Sequence, residues 1–429
     1  MFRPTGFSDL VGRRVGIYGY GVEGRATAAR LAPLDLDLVL VDDAPSDPDV
    51  LATDNGGLEA LLGCDVVLKS PGISPLAASV TALREAHVPL TSALNLWLTA
   101  DVRERVIGIT GTKGKSTTTS LITFFLTALG EPATAVGNIG APPYDPAVET
   151  STGWLVLEMS SFQCVDLTTA PAIVVLTALG SDHLDWHGSL EQYRHDKLSI
   201  TRAAGAHVTL VADTPTLRDY ADVLGGEVHF VPSDTSELAA ALHLLGDHSR
   251  SNVALALAAV AQATGRSVET VREAVLAAAD SFVPLPGRLT PLGTVDGLRF
   301  VDDGLATSPL PTIAALAVFA TEPVTLIVGG FDRGVEYEIL ADAVANRGPS
   351  TTVIAMGPAG RRMAAAIRTS APAVPVHDVA TMAEAVQVAK AESEPGAVVL
   401  FSPAAPSFDQ YRNWRERSED FARLVASTA

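Results

Sequence analysis

The 429-residue sequence predicts an α/β protein of three domains: Rossmann-like at the N-terminus, P-loop ATPase-like in the centre and Rossmann-like again at the C-terminus. Three observations carry that prediction. Short apolar runs alternate with helix-like stretches along nearly the whole chain, the rhythm of βαβ units. Two of the runs end in glycine-rich turns that lead into helices. "PLPGR" at 284–288 sets two prolines and a glycine where no helix can continue. The expected domains are residues 1–100, 101–285 and 286–429.

In the first block "RVGIYGYG", "LDLVLVDD" and "CDVVLKSPG" read as strands. The second opens at Arg105 with "RVIGIT", "WLVLEMS", "AIVVLTAL" and "HVTLVAD" and closes on an alanine-rich helical region, 252–279. The third repeats the rhythm with "VTLIVGG", "TTVIAMG" and "AVVLFSP", separated by helices such as "MAEAVQVAKAES". A hydrophobic content of 47% with 18% charged residues describes an ordered chain. The net charge of −19 argues against a nucleic-acid partner, so any bound polyanion is small and held in a local basic pocket. Two cysteines, Cys64 and Cys164, point to a reducing compartment. The N-terminus has no signal-peptide pattern, and no apolar run reaches the roughly 18 residues a membrane span needs. A cytoplasmic protein without a membrane partner is expected.

The most informative stretch is "VIGITGTKGKSTTTSLITFFL", from Val106. Gly111, Thr112, Lys113, Gly114, Lys115, Ser116 and Thr117 follow a strand and open a helix, the setting of a phosphate-binding loop. Glycines let backbone N–H groups turn toward phosphate oxygens, and the helix N-terminus adds partial positive charge. Lys115 would reach the β- and γ-phosphates of ATP, and Ser116 or Thr117 could ligate Mg²⁺. The strict Walker pattern fails, because Ile109 stands where its first glycine belongs. Glu158 ends a buried strand, where a carboxylate is costly unless it meets a cation. His183 lies in "SDHLDWHG", just past another strand end. Ligands of parallel sheets sit beyond the carboxyl ends of the strands, so Glu158, His183 and the loop at 111–117 should converge on one crevice. Lys197, by sequence alone, is a surface lysine of a helix.

An earlier turn, from Gly19 through Gly21 to Gly24, follows a strand, and Asp42 and Asp43 end the next one. In isolation that is a dinucleotide fingerprint, and a weak one.

Taken together, "TGTKGKST", "VGNIGAP", "LEMSSFQ", "SDHLDWHGSLEQYRHDK" and "SPAAPSFDQYRNW" resemble the Mur ligases, ATP-dependent amide-forming enzymes of peptidoglycan precursor synthesis. The last string, with "SPGI" at 70–73, resembles the branch that adds glutamate to UDP-N-acetylmuramoyl-L-alanine. The resemblance spans the whole chain and implies an ATP- and Mg²⁺-dependent ligase working through an acyl phosphate, a monomer in cytoplasmic cell-wall synthesis, with the C-terminal domain closing over the substrates. It implies roles residue by residue. Lys115 contacts the γ-phosphate; Ser116 and Glu158 hold one Mg²⁺; His183 holds a second with Lys197, commonly carbamylated in the family. Asn138 positions the reacting carboxylate or phosphate, Asn252 meets adenine, and Arg288 and Asp303 reach the nucleotide. The N-terminal turn would receive UDP, not NAD, through Gly21, Val22 and Glu23, with Asp42 toward the uracil and Gly72 against the same ligand. Asn138 and His183 also face that substrate.

Thr307, Ser407 and Trp414 match positions that meet the glutamate. Two departures follow. The D-glutamate enzymes carry lysines where this chain has Leu305 and where its "GGFDR" turn places Arg333. Leu305 cannot pair with a carboxylate, whereas Arg333 offers a fork in place of a point charge. These changes resemble a branch that adds L-glutamate, and the reading leans that way. The alternatives are a D-glutamate ligase in which a neighbour such as Arg412 restores the charge, and a nucleotide-binding regulator without catalysis. Ala178, where the family often has asparagine, has no assigned consequence.

Overall fold

The computed structural model describes residues 2–100, 103–150, 152–234, 236–348 and 350–427. Three sheets follow in chain order. The first contains β1 (Arg14–Tyr18), β2 (Asp37–Asp42), β3 (Leu51–Ala52), β4 (Val66–Lys69) and β5 (Leu90–Thr91), all parallel, in the order β3-β2-β1-β4-β5. The second contains β6 (Val106–Thr110), β7 (Ala133–Gly137), β8 (Trp154–Glu158), β9 (Ile173–Leu176), β10 (Val208–Ala212) and β11 (Glu227–Val231), again all parallel. Its order is β11-β10-β9-β6-β8-β7. The third contains β12 (Thr290–Val295), β13 (Leu298–Asp302), β14 (Val324–Gly329), β15 (Thr351–Met356), β16 (Val376–Val379) and β17 (Val398–Phe401), in the order β12-β13-β17-β14-β15-β16. The three-domain α/β fold expected from the sequence is the fold observed.

One expectation about the third block needs correction. It is not purely βαβ: β12 and β13 form an antiparallel hairpin, while the other pairings of that sheet are parallel. Asp296 (φ 53°) and Gly297 (φ 78°) make its turn, both in the left-handed region a tight hairpin requires. Five further short strands, β3, β5, β7, β11 and β16, were not anticipated; none of the five is buried along its whole length.

Contacts divide the chain into two compact units. The first comprises residues 1–238 and 248–281 and holds the first two sheets; the second comprises 239–247 and 282–429 and holds the third. Central strands read as unbroken apolar runs because helices cover both faces: β6, β9 and β10 are buried at every position. In the third sheet, period-2 geometry sends Leu326 and Val328 to one core and Ile327 to the other, where Phe421 packs on Phe401 with ring centroids 4.8 Å apart.

Candidate active site

Strand order reverses at β6, which pairs with β8 on one side and β9 on the other, so the loops that follow these strands leave in opposite directions there. β6 leaves the sheet at Thr110, and the helix Lys115–Ala128 begins after Gly114, which is left-handed (φ 88°) and supplies no side-chain cap. Gly111 (φ 148°) admits no side chain, since a Cβ there would lie 2.1 Å from Thr177 Oγ1. Loop and neighbours are stitched together: Thr112 N–H donates to Ala178 O (2.7 Å), Thr112 Oγ1 accepts from Gly180 N–H (2.8 Å), and Thr177 Oγ1 donates to Lys113 O (2.6 Å). Ala178 thus contributes through its carbonyl, which any residue offers. The buried Asn252 amide lies directly beneath Gly114.

Two lysines meet at this loop. Lys115 Nζ and Lys197 Nζ each donate to Gly111 O, both at 3.0 Å. Lys197 is buried, contrary to its reading as a surface residue. Burial, followed by the charge of Lys115, pushes its pKa from 10.5 down to about 7. Glu158, at the end of β8, is 1% exposed. Its Oε1 accepts from Asn138 Nδ2 at 2.8 Å, while its Oε2 is buried without a hydrogen-bond partner. A buried carboxylate oxygen in that state calls for a cation or a donor from a ligand. Among the described residues no group of three or more His, Cys, Asp or Glu side chains forms a metal cluster. A metal here would draw on Glu158, the hydroxyl of Ser116 and groups of other types, and the hard oxygen donors of the first two suit Mg²⁺.

His183 occupies a left-handed position (φ 50°) at the start of the short helix Leu184–His187. Its half-exposed ring lies tilted against Phe162, with centroids 4.8 Å apart, beside Asp182, whose carboxylate is 3.6 Å from Lys113. Two linked pairs therefore stand at the ends of adjacent strands, Lys115 with Lys197 through Gly111 O and Glu158 with Asn138, while His183 packs on Phe162. A buried chain went unnoticed in the sequence. His187 Nδ1 bonds Asp196 (2.7 Å) and its Nε2 bonds Ser161 Oγ (2.9 Å), joining the segment after β8 to the helix Leu190–Leu198 that carries Lys197. Burial lowers the pKa of His187, favouring the neutral ring.

In the first sheet the order reverses between β1 and β4, and the turns after these strands face each other there. A cleft of about 330 Å³ opens at this point, lined by Gly19, Gly21, Val22, Glu23, Asp42 and residues 70–73. Asn138, Ser160, Phe162 and Gln163 complete it from the second sheet. Asp42 accepts from Tyr20 N–H (2.5 Å) and Ala44 N–H (2.9 Å), so its carboxylate braces the turn it was expected to serve. Glu23 is held by Gln163 Nε2 (2.6 Å) and the Tyr144 hydroxyl, and burial raises its pKa.

The second unit presents its own loops at the ends of β13, β17 and β14. Asp303 accepts from Ser402 Oγ (2.7 Å) and Leu289 N–H (3.3 Å), next to Arg288, and burial pushes its pKa to about 7. Ser407 is buried, Thr307 half-buried, Trp414 lies over Gly287, and Arg333 is exposed. Arg412 is committed to Glu416, with Nε at 3.2 Å. Sequence reasoning missed Arg417. It is fully buried and donates to Gly329 O (3.2 Å), Gly304 O (3.2 Å) and Ala405 O (2.9 Å), tying together the loops that carry Arg333, Thr307 and Ser407.

Residues 109–227 match the Mur ligase middle domain, and 287–405 match the Mur ligase glutamate ligase domain. A relative from Salinispora tropica is 39% identical over 98% of this chain and 99% of its own. The chain belongs to the Mur ligase family. That relative is named UDP-N-acetylmuramoyl-L-alanine–L-glutamate ligase, as is one from a Micromonospora species, 37% identical over 98% of both chains. A Symbiobacterium thermophilum relative, 34% identical over 87% of each chain, is named a D-glutamate ligase. The Mur fold is also seen in two Thermotoga maritima structures. MurF in complex with ADP has a TM-score of 0.59 at 16% identity over 99% of this chain and 98% of its own; MurC has 0.57 at 19% over 97% and 100%.

Proposed function

We propose that this Mur ligase uses ATP to join L-glutamate to UDP-N-acetylmuramoyl-L-alanine, as a monomer in the cytoplasm, with domain boundaries near residues 100 and 285. The observation that carries the reading is the pair of lysines, Lys115 and Lys197, on the carbonyl of Gly111, with the Asn138–Glu158 pair at the end of the neighbouring strand β8. A substrate carboxylate is a poor acylating group until its oxygen takes the γ-phosphoryl of ATP. The resulting acyl phosphate is attacked by the glutamate amine, which loses a proton, and the tetrahedral intermediate expels phosphate. Charge grows on the transferring phosphoryl and on the tetrahedral oxygen, and cations placed in advance stabilise both. Lys115 is the cation for the phosphoryl. Asn138, anchored on Glu158, orients the reacting carboxylate.

Mg²⁺, held by Ser116 and Glu158 together with His183 and a carbamylated Lys197, would supply further charge neutralisation. A pKa near 7 leaves much of Lys197 as the free amine at neutral pH, the form that adds to CO₂. The cleft at 19–23 and 70–73 receives the uridine diphosphate, with Gly21, Val22, Asp42 and Gly72 along it. Arg288, Asp303 and Asn252 serve ATP.

The choice of isomer rests on the second unit. Leu305 offers no charge, and Arg412 is paired with Glu416, so it does not replace the missing lysine. Arg333, with Thr307, Ser407 and Trp414, is left to receive the amino acid. Relatives from Salinispora and Micromonospora carry the L-glutamate name. A product assay offering each isomer separately tests the reading. Consumption of L-glutamate, with the D-isomer turned over at least about tenfold more slowly, is expected. Preference for D-glutamate would overturn the isomer, and phosphate release indifferent to the nucleotide-sugar would overturn the ligase reaction.

A further inference from the structure

We propose that Lys69 and Asp166 are positioning residues for the nucleotide-sugar cleft, setting the wall formed by residues 70–73; this rests on the substrate reading above. Lys69 ends β4 with its side chain 2% exposed and pairs with Asp166 Oδ2 at 2.8 Å. The same ammonium donates to Ile73 O (3.0 Å) and Ser70 O (3.4 Å). The ammonium thus faces one carboxylate, as an ion pair, and two carbonyls of the wall, as a hydrogen-bond donor. The lysine therefore holds the wall at its first and last residues from behind, while Ser70, Pro71, Gly72 and Ile73 face the cleft.

The wall is also fixed through its backbone, Ser70 N–H donating to Tyr18 O (2.8 Å) and Ile73 N–H to Ser70 O (3.2 Å), but its middle is weakly held. Pro71 has no N–H to donate and Gly72 no side chain to pack. Behind it lies a cavity of about 10 Å³, bordered by Lys69, Ser70 and Pro71. Further ties run from Ser70 Oγ to Gly19 O (2.6 Å) and from Trp186 Nε1 to Gly72 O (3.1 Å), and Ile73 packs against the apolar core of the first sheet. Asp166 follows the helix Ser161–Val165, which presents Phe162 and Gln163 to the opposite side of the same cleft. The ion pair thus joins the two sides from the rear and sets their separation.

A buried pair of this kind adds little net stability when both members are replaced by apolar residues of similar size, whereas removing one leaves a stranded charge. The test uses that asymmetry. Steady-state kinetics with UDP-N-acetylmuramoyl-L-alanine, calorimetric titration with UDP and thermal melting would compare Lys69→Met, Asp166→Asn, Lys69→Arg and the double variant Lys69→Met/Asp166→Leu. In Lys69→Met and the double variant, KM for the nucleotide-sugar and Kd for UDP should rise about tenfold or more, with KM for ATP within about twofold of wild type. Asp166→Asn keeps the Ile73 contact and should cost less, and Lys69→Arg should recover part of the loss. Should the single variants not fold, the double variant decides. Unchanged KM for the nucleotide-sugar in the double variant, or equal rises for ATP and nucleotide-sugar, would overturn the tether. A wild-type chain that does not bind UDP would instead overturn the substrate reading.

Discussion

Two glycine-rich turns in the first unit leave parallel strands and enter helices, yet their surroundings are opposite. The turn at 19–24 is lined by carboxylates: Glu23 in the first helical turn and Asp42 bracing Tyr20 N–H. The turn at 111–116 is lined by Lys115 and Lys197. The glycines also serve different ends. A Cβ on Gly24 would lie 2.1 Å from Gly19 O, so this glycine closes the turn onto itself; Gly111 instead lets the loop settle against Thr177. The backbone device is shared, and on the proposed function the side chains around it separate a phosphate that is held from one that is transferred. A diphosphate that is only held needs N–H groups at a helix end; a phosphoryl that is transferred needs cations as well.

The largest test of this contrast is Lys115→Ala, expected to lower kcat by about 10³-fold while UDP binding, measured by calorimetry, stays near wild type. Equal loss of UDP binding would show that the two turns are not separate devices. Next in size is Lys197→Met, expected to cost about 10²-fold in activity. It carries a stability signature too. The folded pKa near 7 lies below the ordinary 10.5, so between these values the unfolded chain binds more protons and stability rises with pH. That contribution is fully present above 10.5 and lost as pH falls through 7. Melting temperatures recorded from pH 7 to 10 should climb less steeply in Lys197→Met than in wild type. The smallest effect belongs to Glu23→Gln. Removing this carboxylate from the cleft should lower KM for the nucleotide-sugar by about two- to threefold, read in the same assay. The raised pKa of Glu23 makes its contribution one that is lost as pH rises above the ordinary 4.5, and the variant should flatten that decline.

The two turns were legible in the sequence because glycine spacing, strand runs and helix starts are local signals. So was Glu158, since a carboxylate ending an apolar run is conspicuous. Lys197 was not. Its helix, "LEQYRHDKL", is polar enough to read as a solvated surface, and the burial of Lys197 comes with a contact to Gly111, 86 residues away in the chain. Arg417 was hidden the same way in the helix Trp414–Ala426, whose buried face, Arg417, Ser418, Phe421 and Val425, follows helical spacing with a cation in its first place. The hairpin of β12 and β13 did leave a mark, the Asp296-Gly297 pair, which the alternation of strands and helices around it overshadowed.

The order of the third sheet has a consequence for synthesis. β17, the last strand along the chain, lies between β13 and β14 and hydrogen-bonds both. A nascent chain on the ribosome can pair β14 with β15 early, but the hairpin of β12 and β13 has no docking edge until residues 398–401 emerge. The first unit, whose strands are all made by residue 231, can mature meanwhile. Translation stalled before β17 would therefore leave two exposed sheet edges for chaperones or proteases to find.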